Sequence, residues 1–365
     1  MKQLYELMHG DRKVARVDTQ GHCKIYYISF LPYGLYLEDA KETEDVDTLV
    51  NNVTNFYYWC ASRMLTLDRQ YAKEILNAIG AVQPVTDRER AYIALSYRCV
   101  SLTDIYWVRQ AGEKVSFSEI NLFENHLDNA FVDVALRGRQ MTAENRSFAR
   151  DVSTDGCFPK AWVRKDGQFW LYKDGGEQAV EDELLASKVC QCFRCDQVVY
   201  QEGIYDGRKV SVSPLMTTPE QSIVSREAFE IWACNRGRDP QQWILKLDSY
   251  SFYMMNLLDY LIGNTDRHWG NWGLLVDNRI NRPIRLHPLM DFNQAFHSYD
   301  TVDGAGCLTM GAGAGGLSQK EAALEAAARV GLNQRGEIRR EWFGDREQDW
   351  EMFRMRLETV KKRVK

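Results

Sequence analysis

The sequence predicts an α+β fold in two parts, an α/β amino-terminal half with antiparallel sheets and a mostly helical carboxy-terminal half. Three observations carry this. Alternating apolar segments punctuated by Gly turns occupy residues 5–30 and again 161–216. Helical periodicity dominates from about residue 218 onward. The chain has 365 residues, 45% hydrophobic and 27% charged, which allows two or three domains and a large buried core.

The elements follow in order. "YELMHGDRKVARVDTQGHCKIYYISF" alternates and turns at Gly10 and Gly21, as hairpins do. Residues 47–65 place apolar side chains at three- and four-residue spacing, and residues 68–80 end at a glycine suited to a helix C-cap. Residues 101–109 return to strand-like composition. Residues 161–164 and 169–173 form a β-hairpin around Lys165-Asp166-Gly167. A helix with acidic residues in its first turn, "EDELLASKVCQCF", comes next. Two more strands flank Asp206-Gly207, so strand, strand, helix, strand, strand builds a small antiparallel sheet with one helix against it.

After Pro219 the reading is mostly helical. "SREAFEIWACN" precedes a long helix over 239–263, with Asp239 as N-cap and Pro240 at its first position. "SQKEAALEAAARVG" opens with a capping box, Ser318 to Glu321. The final helix carries basic residues in its last turn, which suits the helix dipole. "MGAGAGGL", residues 310–317, is a low-complexity loop. The expected boundaries are 1–149, 150–217 and 218–365.

Composition excludes several classes. A net charge of -5 argues against a general nucleic-acid-binding surface. No apolar run approaches the roughly 20 residues of a membrane span. The first residues show no apolar signal core, which predicts a cytoplasmic protein. The nine cysteines are odd in number and mostly scattered, which argues against a disulfide framework. "CQCFRC" lacks a second C-x-x-C or a His pair, so buried, reduced thiols are expected there rather than zinc.

The chemistry gathers in "GNTDRHWGNWGLLVD", residues 263–277. Asp266 and Asn271 stand five residues apart just past a long helix. Phosphoryl transfer needs a carboxylate near the attacking hydroxyl and oxygen ligands for Mg2+. The apolar runs 272–276 and 283–290 flank a polar turn, and their pairing as a hairpin brings Asn271 and Asp291 together. Lys173 ends a strand, and the helix after it carries Glu183, the arrangement that grips the α- and β-phosphates of ATP. "STDGCFPK", residues 153–160, is neither a Walker loop nor G-x-G-x-x-G. Its backbone around Gly156 and the charge of Lys160 are nevertheless suited to phosphate. "SVSPLM" ends the sheet at Ser213 and Leu215, where a hinge would present backbone groups to adenine.

Taken singly, each residue also has a bland reading. Lys173 fits a solvated strand end. Glu183, beside Glu181 and Asp182, fits an exposed acidic helix start. His268 fits a turn cap, Arg267 a partner for a surface acid, and Lys160 a surface residue. Their order along the chain is what points to a kinase: phosphate loop, strand Lys, helix Glu, hinge, Asp-x-x-x-x-Asn, hairpin, Asp.

At these residues the sequence resembles the HipA-like kinases, a family of bacterial toxin serine/threonine kinases. "YLIGNTDRHWGNWG" is similar to the family's catalytic loop, which implies Asp266 as catalytic base and Asn271 as metal ligand. "LHPLMDFNQAF" resembles its metal-binding segment and implies Asp291 as the Mg2+ carboxylate. "VEDE" before "LLASKV" resembles the family's helix start and points to Glu183. "STDGCFPK" resembles its autophosphorylated phosphate loop, which implies Ser153 as the modified residue, with Thr154 as the alternative and Lys160 in the loop. "LMHGDRKVARV" resembles the opening strands more weakly. The resemblance implies a two-lobed protein-kinase-like fold, ATP and Mg2+ as cofactors, a protein substrate and an antitoxin-like partner on another chain. "DRHWGN" also resembles the D-R-H-x-x-N of phosphatidylinositol kinases, which makes a lipid or small-molecule acceptor the alternative. A catalytically silent kinase-like binding module is the reading from a different class; the presence of Lys173, Asp266, Asn271 and Asp291 together disfavours it.

Overall fold

The structure, a computed structural model, describes residues 3–41, 45–64, 73, 76, 84–124, 158–310 and 316–364. The phosphate-loop residues Ser153, Thr154 and Gly156, all but two residues of the expected helix over 68–80, and most of the 310–317 loop lie outside the described residues.

The first sheet is antiparallel, with β1 (Leu4–His9), β2 (Arg12–Asp18), β3 (Cys23–Ile25) and β4 (Tyr106–Gln110) in the order β3-β2-β1-β4. Its inward face, including Leu7, Val14 and Val108, packs with Phe56, Trp59 and Cys60 of α1 (Val46–Ala61). α2 (Asp87–Ser96) opens with a capping box between Thr86 and Glu89. The strand expected over 101–109 begins only at Tyr106. Asp104 receives the Tyr106 amide at 2.8 Å and Arg63 Nη2 at 2.8 Å, which ties the preceding residues into a turn. One short helix that the sequence did not announce, α3 (Phe117–Ile120), also carries a capping box.

The second sheet forms as expected, from β5 (Lys160–Lys165), β6 (Gln168–Lys173), β7 (Gln201–Tyr205) and β8 (Arg208–Pro214) in the order β5-β6-β8-β7. Both hairpins turn through two residues at positive φ, Asp166 at 52° with Gly167 at 79°, and Asp206 at 51° with Gly207 at 72°. That is the mirror-image turn for which Asp-Gly is suited, because its twist matches that of the strands.

The helix between the hairpins, α4 (Glu177–Cys190), starts a turn earlier than expected, behind Gly176 at φ 87°. Asp182 and Glu183 therefore lie in its second turn, each only 1% exposed, and the reading of an exposed acidic start is overturned. Leu185, Ala186 and Val189 of α4 join the core of the carboxy-terminal half. Cys190 and Cys192 are buried beyond them, and Cys195 is half-buried.

The carboxy-terminal half does not open with a helix. β9 (Gln221–Ser225) comes first, and with β10 (Gly273–Asp277) and β11 (Arg282–Leu286) it makes an antiparallel sheet in the order β11-β10-β9. Ser225 then caps α5 (Arg226–Cys234). The long helix α6 (Pro240–Ile262) has the expected Asp239 cap, but it breaks at Asp248, whose φ of -154° is non-helical. The Asp248 carboxylate accepts the Ser251 amide at 3.1 Å, restarting the helix, and the Leu286 amide at 3.0 Å, docking β11. α7 (Gln319–Val330) keeps its predicted capping box and packs on α6, and α8 (Glu347–Val364) closes the helical layer. Among the described residues no helix is long and apolar enough to cross a membrane.

Candidate active site

α6 ends at Gly263 with φ 62°, a position where an added Cβ would meet the Tyr299 ring at 2.5 Å. Only glycine fits so tight an exit. The loop that follows is organised by Arg267, which is 3% exposed. Its guanidinium donates to both oxygens of Asp259 in the last turn of α6, at 2.9 Å each. Its Nη1 also donates to the carbonyls of Asn271 at 2.9 Å and Met290 at 2.7 Å. One side chain thus joins the end of α6 to both open ends of the β10–β11 hairpin. The surface role open to Arg267 on sequence grounds is overturned.

The expected hairpin forms, with Leu274 opposite Leu286, although its second strand ends at Leu286 rather than running on to residue 290. Asn271 stands at its start and Asp291 beyond its end. Asn271 Nδ2 donates to the Asp266 carbonyl at 2.9 Å and to its carboxylate Oδ2 at 3.3 Å. The Asp266 side chain keeps 42% of its surface exposed. His268 Nδ1 accepts the Gly270 amide at 3.0 Å, the turn-capping role open to it, while its Nε2 stands 3.8 Å from Asp266 Oδ1.

On the second sheet, Lys173 at the end of β6 is buried. Its Nζ donates to Glu183 Oε1 and to Asp291 Oδ1, each at 2.9 Å. The second Glu183 oxygen accepts the Ser211 hydroxyl. Lys173 is therefore not a solvated strand end. Lys160 stands directly opposite Lys173 in the β5–β6 register, which puts both side chains on one face of the sheet.

The charges interact strongly. Burial works against the Asp291 carboxylate, but Lys173 and Lys160 outweigh it and hold its pKa at about 2. Burial raises the Asp266 carboxyl above its usual range, and Asp291 adds to the rise while His268 and Arg267 oppose it. Burial works against the Lys173 charge, but Asp291 and Glu183 raise its pKa well above normal. The site thus holds one firmly ionised carboxylate and one with an elevated proton affinity.

The hinge expectation needs correction. The Leu215 amide donates to the Phe169 carbonyl at 2.9 Å. With Leu171 opposite Ser213, the alternation of an antiparallel ladder turns Ser213's backbone toward β6 as well. Neither amide is free to meet a base. Among the described residues Met216, where the chain leaves the sheet, makes no backbone hydrogen bond.

Sequence reasoning missed three contributors. Asp259 anchors Arg267. Tyr200 accepts the Asp291 amide on its hydroxyl at 3.0 Å and lies 5.1 Å under the Lys173 ammonium. Asn293 lines a small cavity beside Lys173 and Glu183, and its Oδ1 is buried without a hydrogen-bond partner among the described residues. Only Asn293 carried a local signal, its place two residues after Asp291.

The oxygens of Asp266, Asn271 and Asp291 are a donor set suited to Mg2+, which keeps several waters and uses one or two carboxylates.

No family model matches the sequence, and no curated protein does. Solved structures do match. HipA of a toxin–antitoxin system from Shewanella oneidensis MR-1, solved with HipB and its operator DNA, aligns with a TM-score of 0.54 at 10% identity, covering 99% of this chain and 91% of that one. The proinflammatory kinase CtkA of Helicobacter pylori aligns with a TM-score of 0.44 at 14% identity, over 56% of this chain and 88% of that one. The chain shares with HipA a two-lobed, protein-kinase-like α+β fold.

Proposed function

We propose that the protein is an ATP- and Mg2+-dependent phosphotransferase, a serine/threonine protein kinase of the HipA type. The observation that carries this reading is the double engagement of Lys173 by Glu183 and Asp291 at 2.9 Å each. Lys173, steered by Glu183, binds the nucleotide phosphates, and Lys160 adds positive charge beside them. Phosphate oxygens replace Asp291 on Lys173, which leaves the Asp291 carboxylate for the metal together with Asn271. When bound, Mg2+ neutralises charge on the β- and γ-phosphates. The acceptor hydroxyl oxygen attacks the γ-phosphorus as the bond to the β-phosphate oxygen breaks. ADP departs with that electron pair, and Asp266 takes the hydroxyl proton. The backbone groups at Met216 and the Leu215 carbonyl face adenine in this reading, in place of those at Ser213.

Ser153, or Thr154 beside it, is the proposed autophosphorylation site. A phosphate there adds nearly two negative charges, which repel those of ATP and drive the loop out of the site. The neighbour solved with HipB supports the idea of an antitoxin-like partner. His268 beside Asp266, in the D-R-H-x-x-N arrangement, supports a lipid or small metabolite as the second class of acceptor.

The test is calorimetric titration of ATP with and without Mg2+. Micromolar to millimolar binding that strengthens with Mg2+ and is measurably weakened in Lys173→Ala supports the reading. Equal affinity in parent and variant, or none in the parent, overturns it.

A further inference from the structure

The helix that carries Glu183 is gripped near both ends by one distant segment, residues 333–349. Asp182, beside Glu183 on α4, is 1% exposed. Its carboxylate accepts Arg346 Nη2 at 2.7 Å and Gln178 Nε2 at 3.0 Å, and His297 Nε2 stands 3.9 Å away. A carboxylate so buried requires a counter-charge, and Arg346 is the nearest. Arg346 also donates from Nε to Asp349 Oδ2 at 2.6 Å. Its guanidinium lies 4.6 Å from the centre of the Phe296 ring, in the segment that follows Asp291. Just past the end of α4, the Cys192 carbonyl accepts the amides of Arg335 at 2.8 Å and Gly336 at 3.1 Å, and the Arg194 amide donates to the Asn333 carbonyl at 2.9 Å.

Asp182 and Glu183 are consecutive, so they leave the helix about 100° apart. Glu183 faces Lys173, while Asp182 faces the 333–349 segment. A turn or withdrawal of α4 that broke one contact would break the other. In kinases, placement of the Glu-bearing helix decides whether the Lys–Glu pair forms.

We propose that Arg346, acting through Asp182, is a positioning residue that holds Glu183 on Lys173, so that the chain's own 333–349 segment assembles the nucleotide site. This rests on the reading of Lys173 and Glu183 as the nucleotide-gripping pair.

Two measurements test it. Hydrogen exchange of the α4 amides is compared in the parent, Arg346→Ala, Arg346→Lys and Asp182→Asn. Faster exchange in α4 of Arg346→Ala, with β10 and β11 unchanged, is expected. MgATP affinity is then measured in Arg346→Ala, Lys173→Ala and the double variant. Arg346→Ala should lose about tenfold in affinity, within the range for coupled residues of one network. Arg346→Lys should recover part of it. In the Lys173→Ala background the Arg346 change should add nothing, an outcome that general destabilisation would not give. Unchanged α4 exchange, or losses that add across the cycle, overturns the proposal. If Arg346→Ala does not fold, Asp182→Asn, which keeps the shape and removes the charge, serves in both measurements. A parent that binds no MgATP, with α4 still loosened in Arg346→Ala, overturns the proposed function and leaves the clamp supported by exchange.

Discussion

Lys173 and Asp291 lie 118 positions apart in the chain, yet their Nζ and Oδ1 atoms are 2.9 Å apart. The contact joins the end of β6 to the segment beyond β11, and so ties the second sheet to the third. It also sets the acid sensitivity of the site. Asp291 has a depressed pKa of about 2 in the fold, against about 4 for an unfolded aspartate. The stability it contributes is present above about pH 4 and is lost as pH falls toward 2. Equilibrium unfolding followed from pH 5 to 2 should show this loss in the parent. Asp291→Asn should flatten that part of the curve.

Lys173→Ala should destabilise the fold as well as weaken nucleotide binding. It leaves Glu183, 1% exposed, without its main counter-charge. Removing one partner of a buried pair costs about 3–5 kcal/mol. Denaturant unfolding checks this, and a midpoint equal to the parent's would refute it.

Arg267→Lys should behave much like Arg267→Ala. The guanidinium serves Asp259, Asn271 and Met290 together, and a lysine ammonium cannot reproduce that fork. Both changes should cost about 3 kcal/mol or more of stability, the scale for breaking a buried pair. Lysine restoring the parent's unfolding midpoint would contradict this account of the loop.

Two buried imidazoles predict a second pH window. His9 and His287 each have a pKa lowered to about 4, chiefly by burial. Both remain neutral in the fold where an unfolded histidine would already be charged. The stability this provides is present above pH 6.5, the ordinary histidine value, and is lost as pH falls from there toward 4. The loss is on the order of 3 kcal/mol per imidazole across the window. His9→Phe should remove its share, as read from unfolding free energy at pH 7 and pH 4.5.

Local chemistry was legible in the sequence where it acts within a few residues. The Asp-Gly turns, the Ser318 capping box and the Asn271–Asp291 hairpin needed only neighbouring side chains. The break at Asp248 was hidden because apolar periodicity continues on both sides of it. β9 was hidden because five residues, "QSIVS", show too little alternation to outweigh the helix after them. The engagement of the Leu215 amide depended on ladder register, which turns it toward Phe169. Tyr200 and Arg346 act on residues far away in the chain, and spacing along it carries no trace of such contacts.

In the proposed reaction Asp266 and Asp291 act with Lys173 to transfer phosphate. The most direct measurement is transfer of radiolabelled γ-phosphate from ATP with Mg2+, to the protein itself and to proteins of a cell lysate, in parent, Asp266→Ala and Asp291→Ala. Circular dichroism verifies that each variant is folded. The account predicts labelled protein with the parent, and at least about a hundredfold less with either variant, the scale for losing an electrostatic or metal ligand. Labelling in either folded variant as fast as in the parent would contradict it.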